Sequence, residues 1–259
     1  MENLLIIKNI LDKIYFHPLF YIVVVISFLT GHFRDIFYFT TIILIHELGH
    51  SITGILLGFK LKKIEIYPYG GCSKLEYDIN TKIFKELIML IMGPITQIIF
   101  VFIIYYFKID VLDSFYLYSK LILIFNLLPI YPLDGGRIIN ILISIFISFY
   151  NSLKHTYYFS YFIFCILFFI SFKYKNFIIY LIIISLGIEL FKEIKKRNYI
   201  FDKFLLERYL YKYNFKKKKI VNNIYSMKRD YYHSFIGNNT LIDEEEYLTY
   251  YFENNKNII

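Results

Sequence analysis

The sequence predicts an all-α polytopic membrane protein: a six-helix transmembrane bundle with a short membrane-associated β hairpin and a small cytoplasmic C-terminal tail. Three observations carry this reading. Of the 259 residues, 57% are hydrophobic and the mean hydropathy is +0.49, whereas soluble domains usually stay near or below half apolar. The excess lies in long uninterrupted runs rather than in alternating patterns. Basic residues gather in particular loops between those runs, as they do on the cytoplasmic side of membrane proteins.

About 20 mostly apolar residues cross a bilayer. Runs at 16–32, 36–58, 84–107, 115–149, 156–172 and 176–191 are the expected spans, the first being the shortest. Lys8, Asp12 and Lys13 precede the first run and no small-residue cleavage site follows it, so it reads as a retained helix rather than a signal peptide. Pro129, Pro132, Gly135 and Gly136 interrupt the fourth. Such a break is tolerated at membrane depth only where protein or a water-filled cavity satisfies the freed backbone groups.

The loop after the second run carries Lys60, Lys62, Lys63, Lys74, Lys82 and Lys85, and the segment after the sixth carries Lys192, Lys195, Lys196 and Arg197. The turns on the other side are poorer in positive charge, with Arg34 in one and Lys108 beside Asp110 and Asp113 in another. Both termini are therefore expected in the cytoplasm. The short turn with Lys173 and Lys175 opposes this and is outvoted.

Leu61 to Tyr77 alternates weakly and contains Gly70-Gly71, which reads as a strand or hairpin at the cytoplasmic face. The expected domains are a transmembrane domain over 1–198 and a cytoplasmic tail over 199–259. In the tail, Phe201, Phe204, Leu205 and Leu206 suggest one face of an interfacial helix. A basic run, Lys216 to Lys219, follows. Tyr231–Ile236 is strand-like, Gly237-Asn238-Asn239 is a turn, and a helix starts at Asp243. Cys72 and Cys165 make neither a disulfide framework nor a Cys-rich metal site.

The chemistry is concentrated in the second run, at His46-Glu47-Leu48-Gly49-His50. Residues four apart share a helix face, so both imidazoles reach one metal ion, and Glu47 is placed to take a proton from a water on that metal. Bound zinc lowers such a water's pKa to roughly 7. The bland alternative is a chance string on a polar helix face. It is disfavoured because a charge at the centre of a membrane helix costs roughly 2.5–3.5 kcal/mol on insertion scales. A metal offsets that cost, and imidazole and carboxylate suit zinc.

A catalytic zinc needs a third protein ligand and an open position. Asp134, in Asn126-Leu127-Leu128-Pro129-Ile130-Tyr131-Pro132-Leu133-Asp134-Gly135-Gly136, is the candidate, because the prolines and glycines free the backbone to turn a carboxylate sideways. The other reading of Asp134 is an N-cap for a restarting helix.

H-E-x-x-H in one membrane helix with N-x-x-P-x-x-x-x-D-G-G in a later one resembles the site-2 protease family of intramembrane metalloproteases. His17-Pro18-Leu19-Phe20, Thr30-Gly31-His32-Phe33-Arg34, Ile45 through His50 and Pro68-Tyr69-Gly70-Gly71 resemble its sporulation branch, over roughly residues 12 to 200. The resemblance implies one zinc ion on His46, His50 and Asp134, with Glu47 as general base. It also implies that Asn126, Pro129, Gly70 and Gly71 line the substrate cleft. Gly93-Pro94 resembles the family's G-P motif in the third span. Gln97 stands where the wider family often has Asn, and no role is carried over to it.

The resemblance implies a membrane-associated protein substrate, such as a sigma-factor precursor in sporulation, together with the lipid bilayer and membrane regulatory partners; no nucleic-acid partner is expected. The sporulation branch typically ends in a CBS domain. About forty residues after the basic run suffice only for a truncated CBS-like module. Two rival functions are a catalytically silent membrane binding protein and a divalent-cation transporter. Every expected catalytic residue is present, against the first. The polar residues form one compact cluster rather than a path, against the second.

Overall fold

The computed structural model describes residues 10–68, 70–211, 213, 215–237 and 240–254. Lys8, Tyr69, Asn238 and Asn239, on which parts of the reading above fall, lie outside the described residues. The protein is mostly helical with two small sheets, and it divides into two compact units.

The first unit comprises Met1–Tyr77 and Lys85–Leu128. It contains β1 (Ile14–Phe16), α1 (Pro18–Leu29), α2 (Phe33–Leu56), β2 (Lys60–Tyr67), β3 (Gly70–Glu76), α3 (from Ile83, in the second unit, to Tyr106) and α4 (Asp113–Asn126). His17 caps α1, its Nδ1 accepting the Leu19 N–H at 3.3 Å, and Pro18 takes the first helical position, where no N–H is needed. Phe16 is drawn into β1, and α1 ends at Leu29 with 12 residues, so it is shorter than the expected 16–32. At 1.5 Å per residue that is about 18 Å of helix.

The hairpin expected over Leu61–Tyr77 is present as β2 and β3, paired antiparallel from Lys60↔Glu76 to Tyr67↔Gly70. The sequence reading missed β1, which joins β2 in parallel through Ile14↔Ile64. Leu61, Ile64 and Ile66 of β2 are buried with Ile42 and Ile43 of α2 and with Phe115 and Ile122 of α4. On the other face, Glu65 sits between Lys63 at 2.6 Å and Lys74 at 2.7 Å. Those ammonium groups hold its carboxyl down at about 2.

By length and composition, α2, α3 and α6 (Phe149–Tyr174) qualify as membrane spans among the described residues, and α1 is a shorter apolar helix. α1 exposes Val25, Phe28 and Leu29, and α3 exposes Ile98, Phe102 and Tyr105. Contiguous apolar faces of that kind are a liability in water and suit lipid.

The second unit comprises Asp78–Phe84 and Pro129–Ile259. It contains α5 (Asp134–Phe146), α6, α7 (Phe177–Leu210), β4 (Lys217–Val221), a 3₁₀ turn at Ile224–Ser226, β5 (Tyr231–Ile236), β6 (Leu241–Asp243) and α8 (Glu244–Asn254). β4 pairs parallel with β5, and β5 pairs antiparallel with β6. The tail strand and helix lie close to their expected positions. The interfacial face does not: Phe201, Phe204 and Leu205 are buried against Phe149, Phe235, Leu248 and Phe252. They belong to α7, which runs unbroken through both the sixth apolar run and the expected interfacial helix. Protein contacts there satisfy the apolar stripe that the sequence reading gave to the membrane surface.

Arg208 anchors this tail. It is buried, and it donates to Asn80 Oδ1 at 2.6 Å, to Glu244 Oε1 at 2.8 Å and to the carbonyls of Tyr231 and Lys228. Burial of a charge is tolerable only with such a full set of partners.

The fourth apolar run is broken as expected: helix ends at Asn126 and resumes at Asp134. The cause differs in part. Pro129 and Pro132 lie in the break, whereas Gly135 and Gly136 lie inside the first turn of α5. A Cβ on Gly136 would sit 2.4 Å from both Ile130 C and Tyr131 N, so this glycine lets the break fold back over the helix start.

Candidate metal centre

Four polar residues of α2 lie on its buried side: His46, Glu47, His50 and Ser51 are 1%, 6%, 6% and 0% exposed. His46 and His50 are one turn apart, and their Nε2 atoms face each other at 3.2 Å. What lies behind each ring selects the tautomer of the neutral imidazole. His50 Nδ1 is 2.9 Å from the Met89 carbonyl, which only accepts, so Nδ1 carries the proton. His46 Nδ1 is 2.9 Å from Gln97 Oε1. The amide of Gln97 is oriented by its own Nε2, which donates to the Ser119 carbonyl at 2.8 Å and lies 3.0 Å from Ser119 Oγ. Oε1 therefore accepts from His46. Both Nε2 atoms then point lone pairs into the same space. Two lone pairs converging on one space suit a cation there, and imidazoles with an acceptor behind each Nδ1–H are the usual form of a zinc-binding pair. The donors fit zinc.

Two glycines bring α3 against this face. A Cβ on Gly49 would meet Thr96 Oγ1 at 2.1 Å and the Met92 carbonyl at 2.6 Å. A Cβ on Gly93 would meet His50 Nε2 at 2.2 Å. Gly93, in the third apolar run, thus makes room for the His50 ring.

β3 lies along α2 with matched periods. A strand advances two residues in about the distance a helix advances four. Gly71 lies over Ile43 and Glu47, Ser73 over Glu47 and Ser51, and Leu75 over Gly54. A Cβ on Gly71 would be 2.6 Å from Glu47 Cγ and 2.9 Å from Oε1. Ser73 Oγ donates to Glu47 Oε2 at 2.6 Å. Asn126, at the end of α4, brings Nδ2 to 3.4 Å from His46 Nε2.

His46, Glu47, His50, Asn126 and Gly71 thus meet within the first unit. Gly70 begins β3 with open space where its Cβ would be. Pro129 and Asp134 belong to the second unit. There Leu133 takes the cap position and Asp134 is the first helical residue, so the N-cap reading of Asp134 is not what the helix uses. Its carboxylate lies in the first turn, where negative charge is favourable. Gln97, Ser73 and Ser51 were not singled out in the sequence as site residues. Gln97 carried a signal, three positions after Pro94, but the two serines carried none.

A buried pair of imidazoles four residues apart on an apolar helix, with Glu47 next to the first in sequence, is the arrangement an intramembrane metalloprotease requires. The comparisons agree. The profile of peptidase family M50 matches residues 35–113 and 108–170. Stage IV sporulation protein FB of Bacillus subtilis is 32% identical over 212 residues, covering 78% of this chain and 73% of that protein. A zinc metalloprotease of Methanocaldococcus jannaschii is 34% identical over 113 residues, covering 39% of this chain and 32% of that protein. The solved site-2 protease from M. jannaschii superposes with a TM-score of 0.55 at 25% identity, covering 70% of this chain and 91% of that one. The chain belongs to peptidase family M50, and it is a zinc metalloendopeptidase of the site-2 protease kind.

Proposed function

We propose that His46, His50 and Asp134 hold a single zinc ion and that Glu47 is the general base for hydrolysis of a peptide bond in or near a membrane-associated segment of a regulatory protein. The observation that carries this is the pair of Nε2 lone pairs facing each other at 3.2 Å, with an acceptor behind each ring. Two imidazoles leave a catalytic zinc one protein ligand short. Asp134 completes a donor set suited to a metal ion. When bound, zinc supplies Lewis acidity to the site.

The chain's own residues do the rest. Glu47 takes a proton from the attacking water and returns it to the leaving amine. Asn126 orients the substrate or donates to the oxygen where charge develops. Gly70, Gly71 and Pro129 line the substrate path. A helical segment hides its carbonyls, so the substrate unwinds locally and pairs with the hairpin as an added strand.

The reading extends to six spans, with both termini and the tail in the cytoplasm. Residues 1–198 form the proteolytic domain and 199–259 the tail. The Lys-rich hairpin and the basic segment after the sixth run support this orientation. Similarity to a sporulation protein supports a sigma-factor precursor as substrate. Co-expression with candidate precursors, wild type against Glu47→Gln, tests the function: a cleaved band is expected with the wild type only, and equal bands in both lanes would refute Glu47 as the base.

A further inference from the structure

The hydroxyl pair Ser51–Ser73 sits beside Glu47 and has no part in the reading above. Ser51 is fully buried on α2, one turn after Glu47, and its hydroxyl donates to Ser73 Oγ at 3.0 Å. Ser73 is half-buried on β3, the strand laid along α2. Its Oγ is 2.6 Å from Glu47 Oε2 and 3.1 Å from the Glu47 carbonyl. A hydroxyl has one proton and two acceptor sites. Ser51 occupies an acceptor site of Ser73, so the single Ser73 proton turns to Glu47, where the short contact to Oε2 is a charge-assisted bond.

We propose that Ser73, aligned by Ser51, is a positioning residue that clamps Glu47 Oε2 and thereby presents Oε1 to the attacking water. Glu47 has three rotatable side-chain bonds; Gly71 packs against its Cγ, and the hydrogen bond from Ser73 fixes how the carboxylate turns about the last of them. Oε2 is the oxygen that is tied. Oε1 accepts no hydrogen bond from the described residues and points to the space beside Gly71. The clamp also couples the hairpin to the reaction centre. A substrate strand that pairs with β3 bears on the same backbone that carries the Ser73 hydroxyl, so substrate docking and the aim of the base are linked through one residue. This inference rests on the reading of Glu47 as base.

The test uses the full chain in detergent micelles with fluorescein-labelled casein, whose irregular backbone needs no unwinding. Steady-state kcat and KM are measured beside zinc content for wild type, Ser73→Ala, Ser73→Thr, Ser51→Ala and Glu47→Gln. Ser73→Ala is expected to lower kcat about 10–100-fold, in the range a misplaced catalytic group costs, with KM and zinc unchanged within about twofold. Ser73→Thr, which keeps the hydroxyl and suits a strand, is expected to restore kcat to within about threefold of wild type. Ser51→Ala is expected to cost less than Ser73→Ala. The inference is overturned by a Ser73→Ala kcat within twofold of wild type, by zinc loss in that variant, or by a Ser73→Thr variant as slow as Ser73→Ala. An active Glu47→Gln would instead remove the reading of Glu47 on which it rests.

Discussion

Gln97 Oε1 lies 2.9 Å from His46 Nδ1 and turns that imidazole so that its Nε2 faces the Nε2 of His50. Gln97 is itself held at its other end by Ser119, and it is fully buried. Gln97→Leu keeps the volume and removes the acceptor. It should weaken zinc binding about 10–100-fold, the usual cost of losing a partner behind a metal-ligating histidine. Competition with a chelator of known affinity measures this, and saturating zinc should recover most of the activity.

Gly93 and Gly71 predict two separable defects. Gly93→Ala drives a Cβ into His50 Nε2, so the variant should purify with depleted zinc. Gly71→Ala drives a Cβ into Glu47 Cγ and Ile43 Cγ2 rather than into an imidazole. It should keep its zinc and lose about 10²-fold in kcat, as a displaced catalytic group does. Metal analysis and initial rates on both variants separate the effects.

The tail should loosen in mild acid. His233 is fully buried, with Nδ1 2.9 Å from Glu244 Oε2 and Nε2 accepting the Lys228 N–H at 3.0 Å. Arg208 Nη1 lies 3.3 Å from its Nδ1. Burial pushes His233 below its ordinary 6.5, and positive Arg208 adds to that against the pull of Glu244. Its folded value is therefore below its unfolded value, and below pH 6.5 the unfolded chain binds more protons. The stabilisation is full above pH 6.5 and is lost progressively as pH falls below it. Hydrogen exchange of the Tyr231–Ile236 amides, corrected for intrinsic rates, should show less protection at about pH 5.5 than at about pH 7.5. Equal protection would contradict this account of the cluster.

Topology gives a fourth expectation. Reporter fusions at Lys74 and at Lys196 should both report the cytoplasm, because Lys- and Arg-rich loops are retained on that side of a membrane. An external signal from either fusion would reverse the proposed orientation.

Much of this site was legible in the sequence because its chemistry is local. His46, Glu47 and His50 lie within five residues of one helix, and the helical period alone puts the imidazoles together. The break between Asn126 and Asp134 was legible from its prolines. The hairpin was legible from alternation around Gly70-Gly71, but β1 was not, since three residues pairing with a strand fifty positions away leave no periodic trace. The roles of Gln97 and Ser73 depend on which element packs against α2, and a common residue type at an ordinary spacing does not announce that. Phe201, Phe204 and Leu205 showed an apolar face correctly, but the pattern is the same whether lipid or protein covers it. Gly135 and Gly136 were read as helix breakers from composition, whereas Gly136 gives room for the preceding loop.

The most direct test of the central claim is cleavage of a membrane-associated substrate by purified protein in detergent, wild type against Glu47→Gln, with zinc measured in the same samples. Glutamine keeps the shape of Glu47 and cannot take a proton. The account predicts equal zinc in both proteins and a loss of cleavage of at least about 10²–10⁴-fold in the variant. Near-normal cleavage by Glu47→Gln at full zinc occupancy would contradict it.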